Sequence, residues 1–326
     1  MSTGSAELLN PRAPGAGEAD TPIAARSPGE LFRRRFREDR LAMAALLFLV
    51  FLILVAVLAP LIVKLFGAPD PNFQDREALD AFGTPTGPSP SHPFGVDELG
   101  RDVFSRTLYG AQVSLIVAFA ATALAVLAGI ASGLVAGYFR GWVDTGISRL
   151  IDVLLAVPYL LLATGIAAAC SFGDGCFGGL LKPGIAVVIF VIAFTSWTFI
   201  ARIVRGQTLS LREKEFVEAS RSLGASNRRI IFREILPNLA APIIVYASVL
   251  VPQVILYESA LSFLGVGVQP PRASWGQMIA EATDIFNTAW WYMFFPGMAL
   301  LLTVLAFNLV GDALQDALHP KAKRSG

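Results

Sequence analysis

Six stretches of this chain contain no Asp, Glu, Lys or Arg: Leu41 to Val63, Thr107 to Phe139, Val153 to Gly173, Pro183 to Ala201, Ile235 to Tyr257 and Ile285 to Gly311. The shortest has 19 residues and the longest 33. A helix of about 20 mainly apolar residues crosses a hydrocarbon core of roughly 30 Å, so each stretch can hold one span. In lipid every backbone amide must find a partner inside the protein, and a helix supplies those partners from the segment itself. Charged residues are 16% of the 326-residue chain, against about 25% in soluble domains. The sequence therefore predicts an all-α integral membrane protein with six transmembrane helices. No segment between the stretches exceeds 43 residues, short of an ordinary domain of about 100–150 residues, so a large catalytic domain is excluded.

Six spans place both termini on one side, and the retention of Lys and Arg in short cytoplasmic loops selects which side. With the termini inside, the cytoplasmic segments hold 20 of the 26 basic residues and 14 of the 25 acidic ones, leaving 6 basic and 11 acidic outside. The near-neutral total of +1 thus conceals a basic face and an acidic face. The cluster Phe32-Arg-Arg-Arg-Phe-Arg37 before the first stretch reads as a membrane-surface stop and not as a nucleic-acid patch. Residues 1–30, rich in Ala, Gly, Pro and Ser, are expected to form a disordered cytoplasmic tail. Residues 31–63 then hold the basic segment and first helix, 64–106 an extracytoplasmic loop, 107–311 the membrane core and 312–326 a cytoplasmic tail. In the extracytoplasmic loop, Leu99, Val103, Phe104 and Leu108 share a helical face behind Asp97, which predicts a short interfacial helix capped by Asp97. Trp275, Trp290, Trp291 and Tyr292 are expected at headgroup level.

The cytoplasmic loop from Arg202 to Glu234, within a segment running to Pro237, is the longest inner connection and carries 12 of the 51 charges. Phe216, Ala219 and Leu223 fall on one helical face, Gly224 stands where a left-handed C-cap is wanted, and Ser226 can cap a second helix that ends at Pro237. A helix, a Gly turn and a helix lie outside the membrane, with basic residues around an apolar stripe. Two readings stand: docking into a partner's groove, and contact with lipid headgroups.

Here the residues carry a resemblance. Glu218-Ala219-Ser220, Gly224 and Leu236-Pro237 resemble the EAA loop of the permease subunits of bacterial ABC importers. Ser220 stands where the pattern has a second Ala, and Ile235 lies one position later than usual beside Leu-Pro. His92-Pro-Phe-Gly-Val-Asp-Glu-Leu-Gly-Arg-Asp102, Leu261 to Pro271 with Ser274-Trp-Gly276, and Phe295-Pro-Gly297 followed by Leu305 to Asp312 are similar to the C-type permease of dipeptide and oligopeptide importers. The likeness runs from about residue 30 to 320. It implies the type I ABC importer permease fold, and a coupling helix in which Phe216, Glu218, Ala219, Ser220, Leu223, Gly224 and Arg228 meet the ATPase. It also implies a bacterial inner-membrane location and a set of partners: a homologous B-type permease subunit, two ATP-binding subunits, an extracytoplasmic solute-binding protein and membrane lipid. The chain has no Gly-x-x-x-x-Gly-Lys-Ser/Thr loop, so it is not expected to be an enzyme or to hold a cofactor; ATP and Mg belong to the partner ATPases. Peptide import follows from the resemblance, with nickel complexes or other small solutes as the alternative cargo. A secondary transporter or channel would instead need intramembrane charge pairs or a filter sequence, and neither is evident.

Glu258 is the one acid interrupting the apolar run from Ile235 to Val268. An acid in a span is either part of a pathway or gate, or a hydrogen-bonded packing group. Arg149 and Asp152 share one face of the third span and are expected to form an interfacial pair that fixes helix depth, with substrate contact as the alternative; Asn308 and Asp312, four apart on the sixth, carry the same two readings. Pro158, Pro242, Pro252 and Pro296 can kink their helices. Cys170 and Cys176 can close a disulfide on the oxidising side. His92 and His319 define no catalytic or metal cluster.

Overall fold

The computed structural model describes residues 33–34, 36–171 and 175–318. The expected tail of residues 1–30 lies outside them, as does most of the tail expected after 312; the last helix runs on through Leu318. Among the described residues the fold is all-α, with only isolated β-bridges. Among the described residues five helices are long and apolar enough to cross a membrane, and one bent pair brings the number to six when counted as a single broken span.

Helix α1, Arg40–Val57, starts at Asp39, whose carboxylate accepts the N–H groups of Leu41 and Ala42 at 3.0 and 3.1 Å. Leu58 interrupts the first span ahead of Pro60, and α2, Ala59–Leu65, follows. Helix α3, Val103–Phe139, has 37 residues, roughly 55 Å at 1.5 Å per residue. It absorbs the second span and the interfacial helix expected before it. Its N-cap is Asp102, which accepts the Ser105 N–H at 2.7 Å. Asp97 closes a turn instead, accepting the N–H groups of Leu99 and Arg101. The cause is local: Val96 bridges to Asp102, and Gly100 at φ +74° turns the chain between them, so no helix can start before 103.

The third span is where the structure departs most from a straight helix. Helices α4, Gly141–Ala156, and α5, Tyr159–Ser171, meet at 92°. Pro158 has no N–H to donate and disfavours helical backbone in the residue before it; Val157 is accordingly extended, at φ −90° and ψ 132°. With 13 residues, α5 covers only about 20 Å. Cys170 near its end is joined to Cys176 with Cα atoms 4.7 Å apart, and Cys176 exchanges backbone hydrogen bonds with Leu181.

Helix α6, Ile185–Arg212, continues eleven residues into what the charge pattern assigned to the loop. It packs along α3 at very close range. A Cβ at Gly133 would sit 2.7 Å from the Ala201 carbonyl oxygen and 2.8 Å from Val204 Cβ, with Gly129 and Gly137 one helical repeat to either side. Small residues at four-residue spacing let membrane helices approach backbone to backbone. After α7, Glu215–Ser222, comes α8, Asn227–Phe263, then α9, Trp275–Ala282, and α10, Trp290–Leu318. The expected second loop helix does not stop at Pro237. A π turn over Ile230–Ile235, with the Leu236 N–H bonded to the Ile231 carbonyl, carries it straight into the fifth span. Pro237 lacks the N–H that such a change of register would leave unpaired.

The main core joins α3, α5, α6 and α8, while α1 packs against α3 and α10 at the edge. Most of the expected aromatic belt is inside the protein. Trp275 is buried and donates to the Thr107 carbonyl at 3.0 Å, and Trp291 donates to that of Val96 at 3.1 Å. Tyr292 is buried as well; Trp290 alone of the four is exposed. A buried indole needs an acceptor, and here the acceptors tie the loop and α3 to α9 and α10. We refer to the end carrying the 66–102 loop as the acidic end and to that carrying α7 as the basic end.

Candidate functional site

At the basic end, α7 closes with a Schellman turn. Gly224 adopts φ +79°, its N–H bonds the Arg221 carbonyl, and the Ala225 N–H reaches back to that of Ser220 at 3.0 Å. A left-handed residue at this position favours glycine, because any Cβ is strained there. Ser226 then caps α8, accepting the Arg229 N–H at 3.4 Å. The helix, Gly turn and helix expected from the sequence are thus present, with the second helix continuous with a span.

The two faces of this element differ sharply. Val217, Ile230 and Ile235 are fully buried in the main core, while Leu223 keeps 89% of its surface and Phe216 38%. Glu218, Ala219, Gly224 and Arg228 are also exposed, and Ser220 is half-buried. Phe232, which the sequence pattern did not single out, adds a further exposed ring. Shallow clefts flank the turn, one lined by Ser220, Leu223, Gly224 and Glu234, the other by Arg228, Arg229, Phe232 and Arg233. The structure therefore brings the seven predicted residues to one exposed tip.

Polar contacts fix the tip to its neighbours. The Tyr138 hydroxyl, at the end of α3, donates to Asn227 Oδ1 at 2.7 Å, and the Arg212 guanidinium donates to the Tyr138 carbonyl and lies over its ring. Arg140 pairs with Glu213 at 2.5 Å. Helix α4 is held to α6 by Arg205 on Asp144 and by Arg202 on Asp152 at 3.1 Å. Asp152 thus faces α6, and does not pair with Arg149 as expected: α4 packs against α6, whose Arg202 and Arg205 take its two acids. Asn308 and Asp312 are exposed on α10.

Glu258 is fully buried near the acidic end of α8. Its carboxylate accepts the Ser114 hydroxyl of α3 at 3.0 Å and that of Ser262 at 2.8 Å, and Ser262 in turn accepts the Val268 N–H. Beyond it stands a cluster that the sequence reading missed. Arg101 contacts Asp97 at 2.6 Å and Glu281 at 2.9 Å, and Arg106 approaches the same two acids at 3.5 and 3.3 Å. The Tyr292 hydroxyl also donates to Glu281, and His92 bonds Asp102 at 2.9 Å. Neighbouring Glu98 is exposed; partial burial and then the charges of Glu281 and Asp97 push its carboxyl above the usual range.

Residues 125–324 match the family described as the binding-protein-dependent transport system inner membrane component. Residues 27–82 match the N-terminal TM domain of oligopeptide transport permease C. The chain belongs to this family of transport permeases. It is 42% identical over 292 residues to the dipeptide transport system permease protein DppC of Bacillus subtilis (strain 168), covering 89% of this chain and 85% of the relative. It is 43% identical over 302 residues to the glutathione transport system permease protein GsiD of Escherichia coli O6:K15:H31 (strain 536 / UPEC), covering 93% of each. Among solved structures, an inward-facing MetNI methionine ABC transporter chain superimposes with TM-score 0.54 at 19% identity, covering 64% of this chain and 94% of the other. That likeness shows the fold: a type I ABC importer permease. The protein is a multi-pass membrane subunit of an ABC importer and a transport component, not an enzyme.

Proposed function

We propose that this permease forms half of a translocation pathway for di- and oligopeptides and transmits ATPase movement through the tip formed by Phe216, Glu218, Ala219, Ser220, Leu223, Gly224 and Arg228. The observation that carries the reading is the division of the tip: one face is anchored in the core while Leu223 and Phe216 stand in the open. Burying a Leu or Phe side chain is worth about 1.5–3 kcal/mol, so a partner's groove is the favourable place for them. Lipid contact would not need a rigid Gly turn with cations on both sides.

In this reading two ATP-binding subunits, which hold ATP and Mg, meet the tip of this chain and that of a homologous permease subunit. An extracytoplasmic solute-binding protein delivers cargo to the acidic end. Both termini lie in the cytoplasm and the spans lie in the bacterial inner membrane. Closure of the ATPases on ATP moves both tips and switches access between two rigid-body states. Small peptides are the cargo class, in keeping with relatives named for dipeptide and glutathione transport. Glu258, held by two serines and away from solvent, serves as a packing group between α3 and α8 instead of lining a gate. The Cys170–Cys176 disulfide steadies the turn between α5 and α6.

The test uses the complete importer in proteoliposomes. Leu223→Ser and Gly224→Val are expected to reduce binding-protein-stimulated ATP turnover about tenfold, a change of about 1.4 kcal/mol in contact free energy, with insertion intact. Unchanged turnover in both variants overturns the assignment.

A further inference from the structure

Beyond the chain continuity of α6 and α8, one buried side chain ties the tip to the end of α3. Tyr138 is nearly fully buried, one residue before the end of α3, and touches both halves of the connection that carries the tip. Its hydroxyl donates to Asn227, the first residue of α8 after the Ser226 cap, and its carbonyl accepts from Arg212, the last residue of α6. The Arg212 guanidinium lies 5.8 Å from the Tyr138 ring centroid, within cation–π range. Two residues farther on, Arg140 occupies φ +55° and Gly141 φ +61°, turning the chain into α4. Left-handed backbone at an arginine is uncommon and is kept where surrounding contacts over-determine it; here the Arg140 side chain is held by Glu213. Helix α4 is then bound to α6 by Asp144 and Asp152 and leads to the bend at Pro158.

We infer that Tyr138 is a positioning residue for coupling: by binding Asn227 and Arg212 together, it makes the tip and the α3–α4 corner one body, so that force on Leu223 turns the corner and not the loop. The inference rests on the reading of the tip as the ATPase contact and adds the route by which its movement enters the membrane helices. Beside the Tyr138–Asn227 bond the tip is held by apolar burial: Val217 of α7 and Ile230 and Ile235 of α8 lie in the main core that α3 shares. Apolar contacts are non-directional and permit sliding, whereas the hydroxyl–amide bond sets the register of the two elements.

The experiment compares basal with binding-protein-stimulated ATP turnover of the complete reconstituted importer carrying Tyr138→Phe, Asn227→Ala, both together, or Asn227→Asp. Tyr138→Phe keeps the ring and the carbonyl and removes the single donor. Asn227 is exposed, so Asn227→Ala tests the same bond without touching the core. Expected are wild-type co-purification of the ATPases, unchanged basal turnover, and a stimulation ratio lowered about three- to tenfold by either single change, the size of one lost hydrogen bond. The double variant falls no further than either single one, and Asn227→Asp, which retains an acceptor, keeps the wild-type ratio. A wild-type ratio in both single variants, or losses that multiply in the double variant, overturns the role of Tyr138. If Leu223→Ser abolishes stimulation while Tyr138→Phe and Asn227→Ala do not change it, the tip is the contact and this route alone fails. If Leu223→Ser and Gly224→Val change nothing, the underlying reading of the tip fails with it.

Discussion

At the acidic end Arg101 and Arg106 are buried against Asp97 and Glu281, whereas at the basic end Arg202 and Asp152 pair with more than half of each side chain in solvent. Several large apolar side chains are arranged the other way round. Trp275, Trp291 and Tyr292 are packed away at the acidic end, while Leu223, Phe216 and Phe232 stand exposed at the basic end. Buried charges that share partners lose heavily when one member is removed, while exposed pairs contribute little. The acidic end is therefore a lock that fixes the loop to α9 and α10. The basic end is a surface whose contacts are completed by something else.

The largest expected effect comes from opening the lock. Glu281→Ala leaves Arg101 and Arg106 short of a shared acceptor and removes the partner of the Tyr292 hydroxyl. A loss of about 3 kcal/mol is expected, the lower end of the range for breaking a buried pair, because the Glu281 side chain keeps 21% of its surface. Thermal unfolding of the detergent-solubilised importer measures it; a midpoint equal to wild type would remove the contrast between the ends. The matching change at the basic end, Asp152→Ala, is expected to cost less than about 1 kcal/mol in the same assay. A cost equal to that of Glu281→Ala would show that α4 is locked as firmly as the loop.

The smallest effect sharpens the picture of the acidic end by pH. The Glu98 carboxyl lies above its ordinary range through partial burial and the nearby charges of Glu281 and Asp97. The folded state then binds this proton more tightly than the unfolded chain does, so the ionised group opposes folding. That cost is absent below the unfolded pKa, grows as pH rises through the folded one, and is complete above it. Glu98→Gln is accordingly expected to raise the unfolding midpoint slightly at pH 7, with the gain fading as pH falls through the titration of Glu98. A gain that persists unchanged at acid pH contradicts the electrostatic explanation.

Much of this architecture was legible from uncharged runs alone, because a bilayer demands long apolar helices and little else. The tip was legible too: Gly224 and Ser226 are backbone signals whose meaning is local. Of the third span the kinking Pro158 was legible but the size of the bend, 92°, was not, since hydropathy is blind to direction. The start of α3 was misplaced at Asp97 because a capping Asp and an Asp that closes a turn look alike until a second Asp, here Asp102, competes for the role. Trp275 and Trp291 look like interfacial residues by position, and only the Thr107 and Val96 carbonyls reveal them as pins. The Arg101, Arg106 and Glu281 cluster joins residues about 180 positions apart, beyond the reach of local pattern; the four-residue spacing of Gly129, Gly133 and Gly137 is a local signal of close helix approach that the sequence reading did not use. The motifs that carried the family resemblance turn out, at the acidic end, to be largely architectural: His92 with Asp102, and Ser274 as the cap of α9.

The central claim is that the exposed tip at the basic end seats in an ATPase subunit. Among the described residues both native cysteines are bonded to each other, so Leu223→Cys introduces a free thiol at the most exposed apolar point of the tip. Thiol-to-amine cross-linking of the complete importer in membranes is expected to join Leu223→Cys to the ATP-binding subunit, with a yield that changes on ATP addition. Leu264→Cys, also an exposed leucine position but at the acidic end, is expected to give no such adduct. An ATPase adduct from Leu264→Cys, or none from Leu223→Cys in an assembled importer, would contradict the account.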